Sequence, residues 1–277
     1  MWHGLIRLVA GAVGVLAAAN VDAGARSLRV CADPNNLPYS NERGEGFENR
    51  IVTLLATDLG AEVDYTWWAQ RRGFIRNTLK AGLCDLIAGV PTDMEMLATT
   101  RPYYSSTYVA VTRADRGLDV ASFDDPRLRG MKIGVQMIGD DFANTPPAHA
   151  LSRRGLIGNV RGFMIYGDYS RNAPQADIIT AVASGAVDIA FVWGQVAGYF
   201  GRQAPVELSI HPLGTEDEVS ELPMAFGVAM GVRRRDEGLK AEVQHILDAR
   251  RGAIREILGQ YGVPLVAAAP PPVEDDD

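Results

Sequence analysis

Cysteine and histidine are scarce in this 277-residue chain, with two of the first and four of the second. Neither Cys31 nor Cys84 has a C-x-x-C partner or a nearby histidine, which removes the common zinc arrangements. No D-x-[DN]-x-[DN]-G calcium loop occurs, glycine-rich phosphate loops are missing, and no serine or cysteine stands at motif spacing from a base. His149, His211 and His245 are scattered along the chain. Basic clusters are also lacking, so nucleic acid is not an expected partner. With 27 basic and 34 acidic residues the net charge is −7, but Glu274–Asp277 carry four of the acidic ones, leaving a body with little long-range field.

What is present begins with Arg7 ahead of an apolar stretch from Leu8 to Ala19 and small residues around Val21, Asp22 and Ala23. This pattern predicts an export signal over residues 1–23, cleaved after Ala23. The stretch is shorter than the roughly 20 residues of a membrane span, and no cysteine marks the cleavage point for lipid attachment. The expected mature product is a soluble periplasmic protein without a membrane span. In that oxidising compartment Cys31 and Cys84 are a candidate disulfide. Both lie in apolar, strand-like runs; if those runs are neighbours in one sheet, the bond closes a loop of about 50 residues and contributes about 4 kcal/mol. The alternative is two buried thiols.

Short β-rich runs alternate with helical periodicity, which predicts parallel α/β layers. Strands are expected at Leu28–Asp33, Ala61–Trp67, Asp85–Val90 and Thr107–Arg113, with helices at Phe47–Leu59 and near Phe74–Ala81. After Gly130 the order restarts with strands Met131–Gln136, Arg161–Tyr166 and Val187–Val192. Helices fall within Asp140–Arg154 and at Gln175–Ser184. An extended run Met224–Val232 and one long helix Leu239–Gly259 close the chain. The reading is a two-lobed α/β protein: lobe 1 from 27–110 and 225–266, lobe 2 from 111–224, and a disordered acidic tail at 267–277. Crossings near Val109–Arg113 and Pro223–Val228 form a hinge around a cleft.

This order resembles type II periplasmic solute-binding proteins. More narrowly, C-A-D-P-N-N-L-P-Y-S (Cys31–Ser40), Y-T-W-W-A-Q-R-R-G-F-I-R-N-T-L (Tyr65–Leu79), C-D-L-I-A-G-V-P (Cys84–Pro91) and T-T-R-P-Y-Y-S-S (Thr99–Ser106) are similar to the MoxJ/XoxJ family. The wider resemblance places ligands at the carboxyl ends of the strands, between the lobes. In amino-acid receptors of this kind a threonine and then an arginine grip the solute carboxylate. Here Thr92 is followed by Asp93, Met94, Glu95 and Met96, and where such receptors place an aspartate for the ammonium group this chain has Trp193. Both charged handles are absent.

Asn35, Asn36 and Tyr39 follow the first strand and are expected on the near wall of the cleft, offering hydrogen bonds and a flat ring. Trp67 and Trp68 face opposite ways on a strand, and Trp68, on the more polar face, is the cleft candidate. Gln136 and Asp140 are expected from the second lobe. Gln70, Arg71 and Arg72 are expected to begin a helix, with cations solvated or paired with Asp33 or Glu48.

The family resemblance implies an accessory protein of a PQQ-dependent methanol dehydrogenase, of the lanthanide type for XoxJ. The implied partners are the apo form of that dehydrogenase and its cytochrome c. No cofactor or metal is expected on the chain itself, and any small ligand is unknown. Two other readings stand beside it: the solute receptor of an ABC importer for a small non-amino-acid ligand, and an enzyme like cyclohexadienyl dehydratase, with Glu48 and Arg101 as acid/base and clamp.

Overall fold

The computed structural model describes Met1 and residues 26–92, 94–139, 144–165, 169–214, 216–217, 219 and 221–267. The expected signal, Asp140 and nearly all of the acidic tail lie outside these residues. The first half runs β1 (Arg26–Ala32), β2 (Asn35–Asn36), β3 (Ser40–Asn41), α1 (Phe47–Leu59), β4 (Ala61–Trp67), α2 (Phe74–Asn77), β5 (Leu86–Pro91), β6 (Ala98–Thr99) and β7 (Tyr104–Arg113). The second continues with β8 (Ile133–Met137), α3 (Pro146–Arg153), β9 (Val160–Met164), α4 (Asp177–Ala183), β10 (Ile189–Trp193), α5 (Gly194–Gly201), β11 (Leu208–Pro212), β12 (Glu216–Asp217) and β13 (Leu222–Pro223). Last come β14 (Ala225–Val232), α6 (Glu237–Ala249) and α7 (Arg251–Gln260). No helix among the described residues is long and apolar enough to cross a membrane.

The main sheet has the order β4-β1-β5-β14-β7-β10-β8-β9. Its first part is the sheet of lobe 1 and its last part that of lobe 2, so the type II periplasmic binding protein architecture is present, with two βαβ lobes around a cleft. β7 is the crossing strand. Tyr104–Thr107 pair with β14 of lobe 1, and Tyr108–Thr112 pair with β10, with β11 added on Val109–Arg113. β14 makes the return crossing, from Ala225 beside Thr107 to Val232 beside Leu86.

Helix α1 forms because Phe47, Ile51, Val52, Leu55 and Ala56 recur on one face and bury against the lobe 1 sheet. At its start the Asn49 side chain accepts the Gly46 and Asn41 N–H groups. At its end Gly60 takes the left-handed conformation at φ 60°. Cys31 and Cys84 are joined by a disulfide with Cα atoms 5.5 Å apart. Cys84 does not sit inside a strand: it stands two residues before β5, on a turn whose N–H of Leu83 bonds the Thr78 carbonyl. That turn is also why the helix expected to Ala81 stops at Asn77.

Two further expectations change. The long closing helix is two helices, because Arg250 leaves helical geometry at φ −104°, ψ 14° and pairs with Asp58. The bend lets Val243 and Leu247 of α6 and Ile254 and Leu258 of α7 reach one core. Helix α5, which sequence periodicity does not indicate, packs where ordinary side chains have no room. A Cβ on Gly198 would lie 1.9 Å from the Gly262 carbonyl oxygen, and one on Gly194 would lie 2.3 Å from Pro264.

Candidate functional site

The C-terminal ends of β1, β5 and β10 converge on a partly open cavity of about 510 Å³ between the lobes. Its size falls in the range of small-ligand sites. Gly89, Val90 and Pro91 of β5 form part of its lining, with Asp33, Asn35, Asn36 and Tyr39 after β1 and Glu48 from α1. The second lobe supplies Gln136, Tyr169, Gln175 and Trp193, and the crossing strands add Tyr104, Tyr108 and Phe226. The rings of Tyr108, Trp193 and Phe226 pack edge to face, with Tyr108 and Trp193 centroids 4.9 Å apart.

The lobes are closed over this space. Tyr169 donates its hydroxyl hydrogen to Asp33 at 2.6 Å. Asn35 donates to the Arg171 carbonyl at 2.7 Å and accepts the Ala173 N–H at 3.3 Å. The Gln175 amide donates to Asn36 at 3.3 Å, and the Arg71 guanidinium lies 4.9 Å over the Tyr169 ring. Inside lobe 2, Gln136 accepts the Trp193 N–H at 2.8 Å and donates to Gln175 at 3.3 Å, so one chain of amides runs from β10 to Asn36.

Two carboxyl groups face the cavity, and their surroundings differ. Asp33 is 2% exposed and accepts three hydrogen bonds, from the backbone of Asn35 and Gln70 and from Tyr169. Glu48 accepts none from the described residues. Burial, aided by the charge of Asp33, pushes its pKa up to about 8. Gly89 makes room for it, since a Cβ there would meet Glu48 Oε1 at 2.1 Å. The hydroxyls of Tyr39 and Tyr104 are held well above the usual tyrosine range by burial and by Glu48, which keeps them protonated donors. Among the described residues, none that lines the cavity is a lysine, arginine or histidine.

Of the residues expected here, Asn35, Asn36, Tyr39, Gln136 and Trp193 border the cavity together. Trp68 does not. It is 44% exposed and follows β4, the outer edge strand, so its outward face meets solvent rather than the cleft. Met96 is likewise 44% exposed, in the connection between β5 and β6 and outside the lining. Thr92 sits just behind the wall, its methyl 3.5 Å from a Cβ built on Gly227. Asp140 is outside the described residues. Gln70–Arg72 form no helix: the helix starts at Phe74, and Gln70 instead hydrogen-bonds Asp33 and Asn36. Arg101 points away from the cleft and pairs with Asp248 at 2.5 Å, which removes the clamp that the dehydratase reading needs. Sequence reasoning missed Tyr104, Tyr108, Tyr169, Gln175 and Phe226 as lining residues. For Glu48 the sequence carries no local signal beyond its place in the first turn of α1, in the run Phe47-Glu48-Asn49-Arg50.

No protein-family model matches the chain. Protein MoxJ of Methylorubrum extorquens is 32% identical over 256 residues, which span 90% of this chain and 84% of that protein. Among solved structures, periplasmic binding protein XoxJ from Methylobacterium extorquens AM1 is 36% identical with a TM-score of 0.71, over 87% of this chain and 99% of that one. MxaJ from Methlophaga aminisulfidivorans MPT is 26% identical with a TM-score of 0.73, over 86% and 100% of the two chains. In sequence over most of its length, and in a two-lobed fold shared with XoxJ and MxaJ, this chain belongs to the MoxJ family.

Proposed function

We propose that the protein is a periplasmic accessory factor that binds the apo form of a PQQ-dependent methanol dehydrogenase, of the lanthanide type, and assists its maturation. The observation that carries this reading is the pairing of MoxJ-family membership with a cleft stripped of the cationic clamp of amino-acid receptors. An aromatic wall without a basic anchor suits a protruding apolar or aromatic segment better than an amino acid. With Trp68 and Met96 outside the cavity, Tyr39, Tyr108, Trp193 and Phe226 are the residues to receive it, after the lobes open. PQQ itself is a poor occupant, because its carboxylates would face Asp33 and Glu48 with no basic residue in the lining. The dehydrogenase's cytochrome c is a further expected member of the assembly.

Co-purification and calorimetry with the dehydrogenase test this. Association with the apo enzyme, weakened for the PQQ-loaded holo enzyme, is expected; no association with either form overturns the reading.

A second reading, a receptor for a small solute, is favoured by the ligand-sized cavity between the lobes. A true solute at 100 times its dissociation constant stabilises the protein by about 2.7 kcal/mol, and a thermal-shift screen detects that.

A further inference from the structure

The cavity pairs the unengaged carboxyl of Glu48 with a wall of aromatic rings. Asp33 is committed: three donors saturate it, one of them from the opposite lobe. Glu48 is not committed, since no donor among the described residues reaches it, although it borders the same space as Tyr39, Tyr104 and Tyr108. Glu48 is half-buried at the edge of this space, and a carboxylate so placed without a protein partner is stabilised either by protonation or by a counter-ion. Gly89 strengthens the point, because any side chain at that position of β5 would collide with the Glu48 carboxyl. The backbone of the ligand-facing strand is therefore bare just where the carboxyl enters.

We propose that this cavity binds a small organic ammonium ion, with Glu48 as its counter-ion and the rings of Tyr39, Tyr104, Tyr108 and Trp193 as its wall. An anion is disfavoured by two carboxyls and by the absence of lysine, arginine or histidine from the described residues of the lining. A neutral alcohol takes one hydrogen bond but leaves Glu48 uncharged. An ammonium ion gains the ion pair together with attraction to the electron-rich ring faces, a combination used in cages for organic cations. Binding moves Glu48 from its protonated to its ionised form, so near pH 7 the complex forms with release of a proton to buffer. The inference rests on the cleft being the binding site, which both functional readings share. It does not depend on a dehydrogenase being the partner.

The test uses the intact protein with n-butylammonium and choline as probes and with n-butanol and butyrate as controls of similar size, read by thermal shift and calorimetry at pH 7. At least one cation is expected to raise the melting temperature and to bind at least tenfold more tightly than either control, with an enthalpy that changes with the ionisation enthalpy of the buffer. Glu48→Gln, which removes the charge and keeps the shape, is expected to weaken that cation at least tenfold while leaving n-butanol unchanged. Equal response to butyrate or n-butanol, no response to either cation, or undiminished cation binding by Glu48→Gln overturns the proposal. Should that variant fail to fold, the wild-type ranking of cation over alcohol and acid still decides it. Cation binding without dehydrogenase association removes the accessory reading alone, and the reverse result removes only this one.

Discussion

Tyr169 and Asp33 are bonded across the cleft at 2.6 Å, the hydroxyl from one lobe and the carboxylate from the other. The tyrosine stays protonated at neutral pH because burial, and then the carboxylate itself, raises its pKa well above the ordinary range. A hydrogen bond to a charged acceptor contributes about 1.5–3 kcal/mol. Tyr169→Phe is therefore expected to shift the lobes toward an open form by roughly 10- to 100-fold in population, on that same scale. Small-angle scattering would register a larger radius of gyration, and amide exchange would quicken at Asn35 and Asn36. An unchanged scattering curve with unchanged exchange would show that this contact does not hold the lobes together.

The disulfide ties β1 to the segment before β5 across a separation of 53 residues. The chain-entropy relation assigns a loop of that length about 4 kcal/mol. Cys31→Ser with Cys84→Ser is expected to lower the unfolding free energy by about that amount, with the urea midpoint falling and the slope rising because the unlinked chain exposes more surface. A midpoint within error of the wild type would mean that the bond constrains little in the unfolded chain.

Glu48 makes stability depend on pH with a definite sign. Its folded pKa lies near 8, against an ordinary value of 4.5, so between those values the native state holds a proton that the unfolded chain has released. Stability from this group is complete below about pH 4.5 and declines as pH rises to about 8. Glu48→Gln removes that slope. Urea midpoints of the two proteins at pH 5, 7 and 9 should show the variant gaining on the wild type at each step. A difference constant with pH would mean that Glu48 titrates as an ordinary carboxylate.

Gly198 of α5 lies against Gly262, where a methyl group would sit 1.9 Å from a backbone oxygen. Gly198→Ala must push α5 off the C-terminal segment, and overpacking of this kind costs about 1–3 kcal/mol. Gly259→Ala in α7 meets nothing within 4 Å and should instead add about 0.5–1 kcal/mol by helix propensity. Melting temperatures moving the same way for both would contradict the packing argument.

Much of this fold is legible in the sequence where a period is long and its ends are marked. Helix α1 is an example, with Phe47 opening the apolar stripe and Gly60 closing it, and the alternation in Ala61–Trp67 leads directly to β4. Helix α5 is not legible, because Gly194, Gly198 and Gly201 read as a loop until Pro264 and Gly262 supply the reason for them. The site divides in the same way. Asn35, Asn36 and Tyr39 are reachable from the sequence because they directly follow a strand end. Trp68 misleads because alternation reveals which face a residue takes but not that β4 is the outermost strand. Tyr108 and Phe226 come together only through the β7 to β14 pairing, and no local pattern encodes a contact between positions so far apart.

Strand β7 runs without interruption from one lobe into the other, bonded to β14 in its first half and to β10 and β11 in its second. A ribbon fastened this way cannot slip along its own axis, yet it can still twist. The two halves are thus restricted to swinging like pages about a spine, and a small rotation at Thr107 becomes a wide gape at the far rim. Whatever enters needs to part only the rim, while the interior of each page remains undisturbed.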